Sequence, residues 1–263
     1  FRRVLFRSWG ILLALTLALS VLAGCGRQSS HIEQIKKAGV LKVGVKEDVP
    51  KFGYLNPQTN QYEGMEIDLA RRIAKEILGD ENKVQFQGVN AKTRGPALDN
   101  GEVDLVIATF TINEERKKSW NFSEPYFTDY IGFLVRADSG ITSWKDLDGK
   151  NIGVAQSATT KQALTAQAEQ DGIKPNFLEF ATYPEIKAAL DSGRVDAFSV
   201  DQSILWGYKD DKNVMLPDKF APQEYGIASK KSNTELAEFV NKLIKDMKAS
   251  GELDQLYEKW GLK

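Results

Sequence analysis

One cysteine and one histidine stand in the 263 residues, and a formal net charge of −1 leaves little charge of either sign in excess. Each shortage excludes a class of chemistry. Cys25 alone cannot close an internal disulfide, and no second cysteine is present to build a thiol or zinc site with it. His31 lies next to an N-terminal targeting segment, so a triad built on histidine is excluded from the body of the fold. No Walker-type phosphate loop and no dinucleotide glycine fingerprint occur. The basic doublets, Lys36-Lys37, Arg71-Arg72, Lys117-Lys118 and Lys230-Lys231, are scattered and read as solvated faces, so nucleic acid is not an expected partner. Carboxylates are plentiful, but nothing singles out a pair. The balance points to binding rather than catalysis, with no cofactor and no metal.

What is present begins with a targeting signal. Arg2, Arg3 and Arg7 make a basic head, an apolar run follows from Trp9 to about Leu19, and Leu22-Ala-Gly-Cys25 closes it. The run is short for a membrane span, and the order basic, apolar, small describes a secretory signal. The last four residues resemble a bacterial lipobox. That resemblance implies a signal peptide over 1–24, lipidation of Cys25, a lipid-anchored tether over 25–38, and a chain held outside the cytoplasmic membrane.

The remainder alternates strand-like and helix-like stretches. Leu41 to Val45, Val84 to Val89, Val103 to Phe110, Ile131 to Val135 and Asn151 to Ala155 read as strands. So do stretches near Phe177, near Val195, and from Tyr225 to Ser229. Ile67, Ala70, Ile73, Ala74 and Ile77 recur at helical spacing up to Gly79. A later helix is capped at Thr234 and carries Leu236, Phe239, Leu243 and Met247. The alternation predicts an α/β fold with mixed, mostly parallel sheets flanked by helices. Ala97-Leu-Asp-Asn-Gly-Glu-Val-Asp104 is echoed by Ala189-Leu-Asp-Ser-Gly-Arg-Val-Asp196, and a strand opener precedes each copy. Two similar α/β units result, whose strand ends face each other across a ligand site.

A small zwitterion in such a site needs a guanidinium and backbone N–H groups for its carboxylate. Its ammonium needs a carboxylate and carbonyls, because burying an unpaired charge is costly. Thr109-Phe-Thr-Ile-Asn-Glu-Glu-Arg116, Gln156-Ser-Ala-Thr-Thr160 and Asp201 all follow strands. Arg116 could equally be a surface arginine in a helical turn, and Asp201 a helix N-cap.

Tyr62-Glu-Gly-Met-Glu-Ile-Asp-Leu69, Ile107-Ala-Thr-Phe-Thr-Ile-Asn-Glu-Glu-Arg116, Asn121-Phe-Ser-Glu-Pro-Tyr126 and Gly193-Arg-Val-Asp-Ala197 decide between these readings. In this order they resemble the polar amino-acid-binding proteins of ABC importers, over about Gly39 to Leu262. The resemblance implies a two-lobed periplasmic-binding-protein-like (type II) fold with two hinge crossovers. Lobe 1 would hold 39–134 and 225–263, and lobe 2 would hold 135–224. The partners implied are a free L-amino acid and a permease–ATPase complex, served by a monomer. Arg116 then matches the clamp on the α-carboxylate, Thr111 the donor beside it, and Thr160, or Thr159 by a one-residue shift, the lobe-2 donor. Thr109 matches the carbonyl and Asp201 the carboxylate for the ammonium. Phe52, Phe110, Tyr126 and Tyr225 are wall or core. Asn90-Ala-Lys-Thr-Arg-Gly-Pro96 lacks the aromatic of glutamine-binding relatives. Arg94 and Lys46 instead resemble the extra cations of glutamate- and aspartate-binding members, so an acidic amino acid is the expected ligand. A glutamine binder and a dehydratase-like enzyme on the same fold are the alternatives.

Overall fold

The computed structural model describes residues 29–262. The signal segment 1–24, the proposed lipidation site Cys25 and the start of the tether lie outside the described residues. The tether expected over 25–38 is corrected at its far end, where residues 31–38 form helix α1 (His31–Ala38). Ser30 Oγ accepts from Glu33 N, Ile32 and Ile35 are buried, and Gly39 ends the helix at φ 71°. His31 therefore sits on a helix, with Nε2 2.8 Å from Asp104 Oδ1.

The first lobe is built on β1 (Leu41–Val45), buried except at Lys42. A ribbon of β2 (Asp48–Val49), β3 (Gly53–Asn56) and β4 (Gln61–Glu63) leads into α2 (Met65–Leu78). This helix buries Ile67, Ala70, Ile73, Ala74 and Ile77 on the stripe that the spacing predicts. Strand β5 (Val84–Gly88), helix α3 (Arg94–Asp99), strand β6 (Leu105–Ile107), helix α4 (Glu114–Ser119) and strand β7 (Trp120–Phe122) follow. Strands β5 and β6 lie parallel to β1 on either side of it.

Strand β8 (Phe127–Arg136) crosses to the second lobe. There the chain forms β9 (Asn151–Ala155), α5 (Thr160–Asp171), β10 (Asn176–Phe180), α6 (Tyr183–Asp191), β11 (Ala197–Asp201), α7 (Gln202–Tyr208) and β12 (Asn213–Met215). Strand β13 (Phe220–Tyr225) runs back along β8, and β14 (Ala228–Lys230) rejoins the first sheet. The sheet orders are β5-β1-β6-β14-β7 and β10-β9-β11-β8-β12, with β13 paired to β8. Parallel pairs form the centre of each sheet, and the crossover strands add the antiparallel ones. Helix α8 (Thr234–Ser250) and helix α9 (Glu252–Trp260) close the first lobe. The N-cap of α8 is Asn233 rather than Thr234, and its side chain makes no capping bond. No helix of the described residues is long and apolar enough to cross a membrane.

Two boundaries differ from the sequence reading. All of β8 pairs within the second sheet, with β11, β12 and β13, so that sheet begins at Phe127 rather than after residue 134. The stretch expected as one strand from Tyr225 to Ser229 is two strands in different sheets. They are separated at Gly226, where an added Cβ would lie 2.8 Å from Ile112.

The internal echo is a structural repeat. Asp104 Oδ2 accepts from Lys42 N of β1, and Asp196 Oδ2 accepts from Asn151 N of β9, each at 2.8 Å. In both copies the aspartate N–H returns a bond to the same residue's carbonyl, at 2.9 and 2.7 Å. One carboxylate in each lobe thus pins the start of the central strand to the turn before its parallel neighbour.

The lobes are in contact. Phe52 packs edge-on against Tyr225, with ring centroids 6.0 Å apart, and Pro50 faces Gly207. Tyr208 donates its hydroxyl to Asp48 O, and Tyr183 N donates to Asp48 Oδ2 at 3.4 Å.

Gly64 holds the entry to α2 at φ 130°, where an added Cβ would lie 2.0 Å from Phe52 O. That conformation belongs to glycine, and the clash is with backbone that cannot yield. Gly64→Ala should cost about 3 kcal/mol of unfolding free energy, measured by urea denaturation. A loss under ~1 kcal/mol would contradict this role.

Candidate functional site

The C-terminal ends of β6, β9 and β11 meet between the lobes. Two non-glycine residues there take left-handed backbone, Thr109 at φ 43° and Ser157 at φ 61°, one on each facing edge. Such conformations persist only where neighbours hold them. At Thr109 they do: Glu66 Oε1 accepts from Thr109 N at 2.6 Å, and Arg94 Nη1 donates to Thr109 O at 2.9 Å.

Arg94, the first residue of α3, is 3% exposed and turns inward. Its Nη1 also donates to Ala108 O at 2.7 Å, and its Nε is buried without a partner. Asp99 is not its counter-charge, since that carboxylate accepts from the Trp120 indole at 2.9 Å. Arg116 lies in the first turn of α4, which Asn113 caps, and it too turns in. Its Nη1 donates to Thr111 O at 2.7 Å, and its Nη2 reaches Ser157 O on the other lobe at 3.0 Å. Both guanidiniums lie over the Phe110 ring, at 4.1 Å for Arg94 and 4.8 Å for Arg116. Among the described residues, neither has a carboxylate oxygen within 4.0 Å. Burial and the charge of Arg94 push Arg116 down to about 9, so Arg116 remains a cation at neutral pH, and burial lowers Arg94 as well.

Opposite them stands Asp201, 5% exposed, which accepts from the Tyr225 hydroxyl. It holds the N-cap position of α7 but makes no capping bond, so its side chain is left to the cleft. Burial and the nearby Asp129 push it up to about 7, against the opposing influence of Tyr225, Arg94 and Arg116. Thr160 opens α5 and is 1% exposed. The first-turn N–H groups of that helix have no intrahelical acceptor and suit an anion. The Thr159 hydroxyl is already engaged, donating to Gln223 Oε1 at 2.7 Å. The same oxygen accepts from the Thr111 hydroxyl at 2.9 Å, so one amide ties the two lobes together.

Lys46 differs from the two arginines. It is 1% exposed, but Asp48 lies 3.0 Å from its Nζ and the Tyr183 ring 4.5 Å away. Its charge is met within the protein, so it is not a second free cation for a ligand. The aromatic candidates divide by role. Phe110 underlies the guanidiniums, Tyr225 holds Asp201, Tyr126 donates to Glu66 at 2.6 Å, and Phe52 packs on Phe127 and Tyr225.

From sequence alone, Glu66, Gln223 and Tyr183 had no assigned site role, and Ser157 was named only within the segment 156–160. For Glu66 a signal existed: it begins the stripe Glu66, Ala70, Ile73, Ile77, a carboxylate on an apolar helix face. It is fully buried, its Oε2 has no hydrogen-bond partner, and burial pushes it up to about 7. Taken together, the cleft presents two guanidiniums, a helix N-terminus and one carboxylate. It can hold a small molecule with an ammonium and more than one anionic group.

Comparison with known proteins identifies the family. The family model for bacterial extracellular solute-binding proteins, family 3, matches residues 41–263. The ABC transporter glutamine-binding protein GlnH of Bacillus subtilis is 40% identical over 92% of this chain and 93% of its own length. The glutamine-binding protein of Geobacillus stearothermophilus is 42% identical, covering 88% of this chain and 95% of that one. Among solved structures, the cysteine-binding protein from Campylobacter jejuni superposes with a TM-score of 0.77. It is 33% identical, over 88% of this chain and 92% of that one.

The state of Glu66 has a measurable consequence. Its folded value, about 7, lies above the ordinary 4.5, so the native state binds that proton more tightly than the unfolded chain. This contribution to stability is full below pH 4.5 and is lost as pH rises through 7. Glu66→Gln should therefore gain about 3 kcal/mol relative to wild type between pH 5 and pH 8 in urea denaturation. An unchanged difference between the two proteins at both pH values would show that Glu66 does not titrate there.

Proposed function

This chain belongs to family 3 of the bacterial extracellular solute-binding proteins, and from that premise we propose that it captures free glutamate or aspartate for an ABC importer. One observation carries the choice of ligand: Arg94 and Arg116 are stacked on Phe110 with no carboxylate of the described residues within 4.0 Å. Two unmet guanidiniums facing one carboxylate are the complement of an amino acid with two carboxylates and one ammonium. Arg116 and the start of α5 take the α-carboxylate, with Thr111 and Thr160 beside them. Asp201 and the Thr109 carbonyl take the ammonium, and Arg94 takes the side-chain carboxylate. An amide in that last place would leave Arg94 facing neutral dipoles only. Contacts to both lobes make the closed state the one that ligand favours. The chain acts outside the cytoplasmic membrane, tethered by lipid on Cys25, and hands its ligand to a permease–ATPase complex as a monomer.

A second reading, glutamine as the ligand, is favoured by the two glutamine-binding relatives at 40% and 42% identity. The two readings separate in calorimetric titration of ligand-stripped protein. Glutamate or aspartate should bind at least about tenfold more tightly than glutamine, since a charge-assisted bond contributes about 1.5–3 kcal/mol. Arg94→Ala should cost the acids about 10- to 100-fold and glutamine no more than a few-fold. Equal losses for all three would remove Arg94 from side-chain recognition, and a preference for glutamine would establish the second reading. Arg116→Ala should weaken every amino-acid ligand by about 100-fold, and retained affinity would remove it from the α-carboxylate.

A further inference from the structure

Glu66 lies against the ligand site without touching the surface, and no role assigned so far uses its charge. Its Oε1 accepts from Thr109 N and from the Tyr126 hydroxyl, both at 2.6 Å, while its Oε2 is buried without a hydrogen-bond partner. Arg94 holds the carbonyl of the same Thr109, so a single strained residue separates the carboxylate from the guanidinium. Arg94 Nε and Thr109 Oγ1 are likewise buried and without partners. The charged and titratable groups that act on Glu66 come from several elements: Lys46 after β1, Arg94 on α3, Tyr126 before β8 and Tyr183 on α6.

Around the closed cleft Lys46, Arg94 and Arg116 are positive, and Asp48, Asp129, Asp201 and ionised Glu66 are negative, so these seven sum to −1. An amino acid of zero net charge leaves that sum unchanged. An amino acid of net charge −1 adds a second negative charge in excess in a site from which water is excluded, where it is most costly. One proton on Glu66 offsets the added charge. Protonation also frees Arg94 from the field of a neighbouring carboxylate at the moment a ligand carboxylate reaches it.

We propose that Glu66 is a specificity-determining residue that takes up one proton when an acidic amino acid binds and none when a neutral one does. The proton comes from solvent, sits on the unpartnered Oε2, and returns to solvent when the ligand leaves. Ionised Glu66 favours neutral ligands, and protonated Glu66 favours acidic ones. This inference rests on the reading of glutamate or aspartate as ligand.

Titration calorimetry of the ligand-stripped protein at pH 6, 7 and 8, in buffers of different ionisation enthalpy, tests it. Glutamate keeps its own charges across this range, so proton uptake reports on the protein. Glutamine serves as the control for any proton that Asp201 exchanges with the shared ammonium. Relative to glutamine, glutamate should take up close to one additional proton at pH 8. Its relative affinity should fall about tenfold per pH unit above 7. Glu66→Gln should abolish both effects and raise the glutamate-to-glutamine affinity ratio at pH 8 about tenfold or more. Tight glutamate binding with the same proton count and pH profile as glutamine would overturn the role of Glu66 and leave the acidic ligand standing. Glutamate binding weaker than glutamine at pH 6 would overturn the acidic ligand, and the inference with it. The wild-type proton count decides the matter even if the variant does not fold.

Discussion

Arg94 and Arg116 share the face of one phenyl ring and reach no carboxylate among the described residues, and much of the surrounding structure serves to hold that charge in place. A guanidinium cannot discharge itself by losing a proton at neutral pH, so burial must be offset by dipoles. Here the dipoles are backbone carbonyls: Ala108 and Thr109 for Arg94, Thr111 and Ser157 for Arg116. Those carbonyls aim inward because the chain turns sharply after β6, with Thr109 in left-handed backbone. The turn in turn depends on Glu66, which takes the Thr109 N–H from behind. The cations are thus held by peptide groups, and the peptide groups by a buried carboxylate on α2. Phe110 supplies a flat, polarisable floor on which both side chains rest.

The fold delivers these groups by using one device twice. In each lobe an aspartate at the end of a helix–glycine turn, Asp104 or Asp196, clamps the first residues of the central strand. With the strand starts fixed, their ends project toward the opposing lobe at a set height. Thr109 and Ser157 then come to equivalent edges, and Arg116 spans between them. Closure is further registered by Gln223, whose carbonyl oxygen accepts one threonine hydroxyl from each side. Gln223 lies on strand β13, so both threonines are tied to a strand that runs between the lobes.

Much of this was legible in the order of residues, and the exceptions have physical causes. Short apolar runs bounded by turns marked β1, β5 and β9, and helical spacing marked α2 and α8. Family-like motifs carried Arg94, Arg116, Thr109, Thr111 and Asp201 to a common region. What local pattern does not encode is partner choice. Ile131 to Val135 reads as a buried strand in either sheet, and only its pairing with β11 and β13 assigns it to the second lobe. The same limit joined the end of β13 to β14, because only Gly226 and Ile227 separate two strands that pair in different sheets. Helix α1 escaped notice because two isoleucines three apart are too few to establish a period. Gln223 carries no local signature, since its role exists only when two distant threonines meet.

Lys46 and Arg94 show how little residue type alone decides. Both are buried cations in the same neighbourhood, and both influence Glu66. Lys46 is followed two residues later by Asp48, on a turn tight enough to bring the pair to 3.0 Å. Tyr183 and Tyr208 from the second lobe then engage Asp48 through backbone N–H and hydroxyl groups, so the pair becomes part of the closure contact. Arg94 has Gly95 and Pro96 after it, and its nearest carboxylate in sequence, Asp99, is turned away by the Trp120 indole. The ring of that tryptophan also lies against Gly95, where an added Cβ would meet it at 2.6 Å. Trp120 therefore both diverts the one local counter-charge and sets the path of α3 that points the guanidinium inward. Arg94 is thus met by carbonyl dipoles alone, whereas the charge of Lys46 is met by a carboxylate of its own chain.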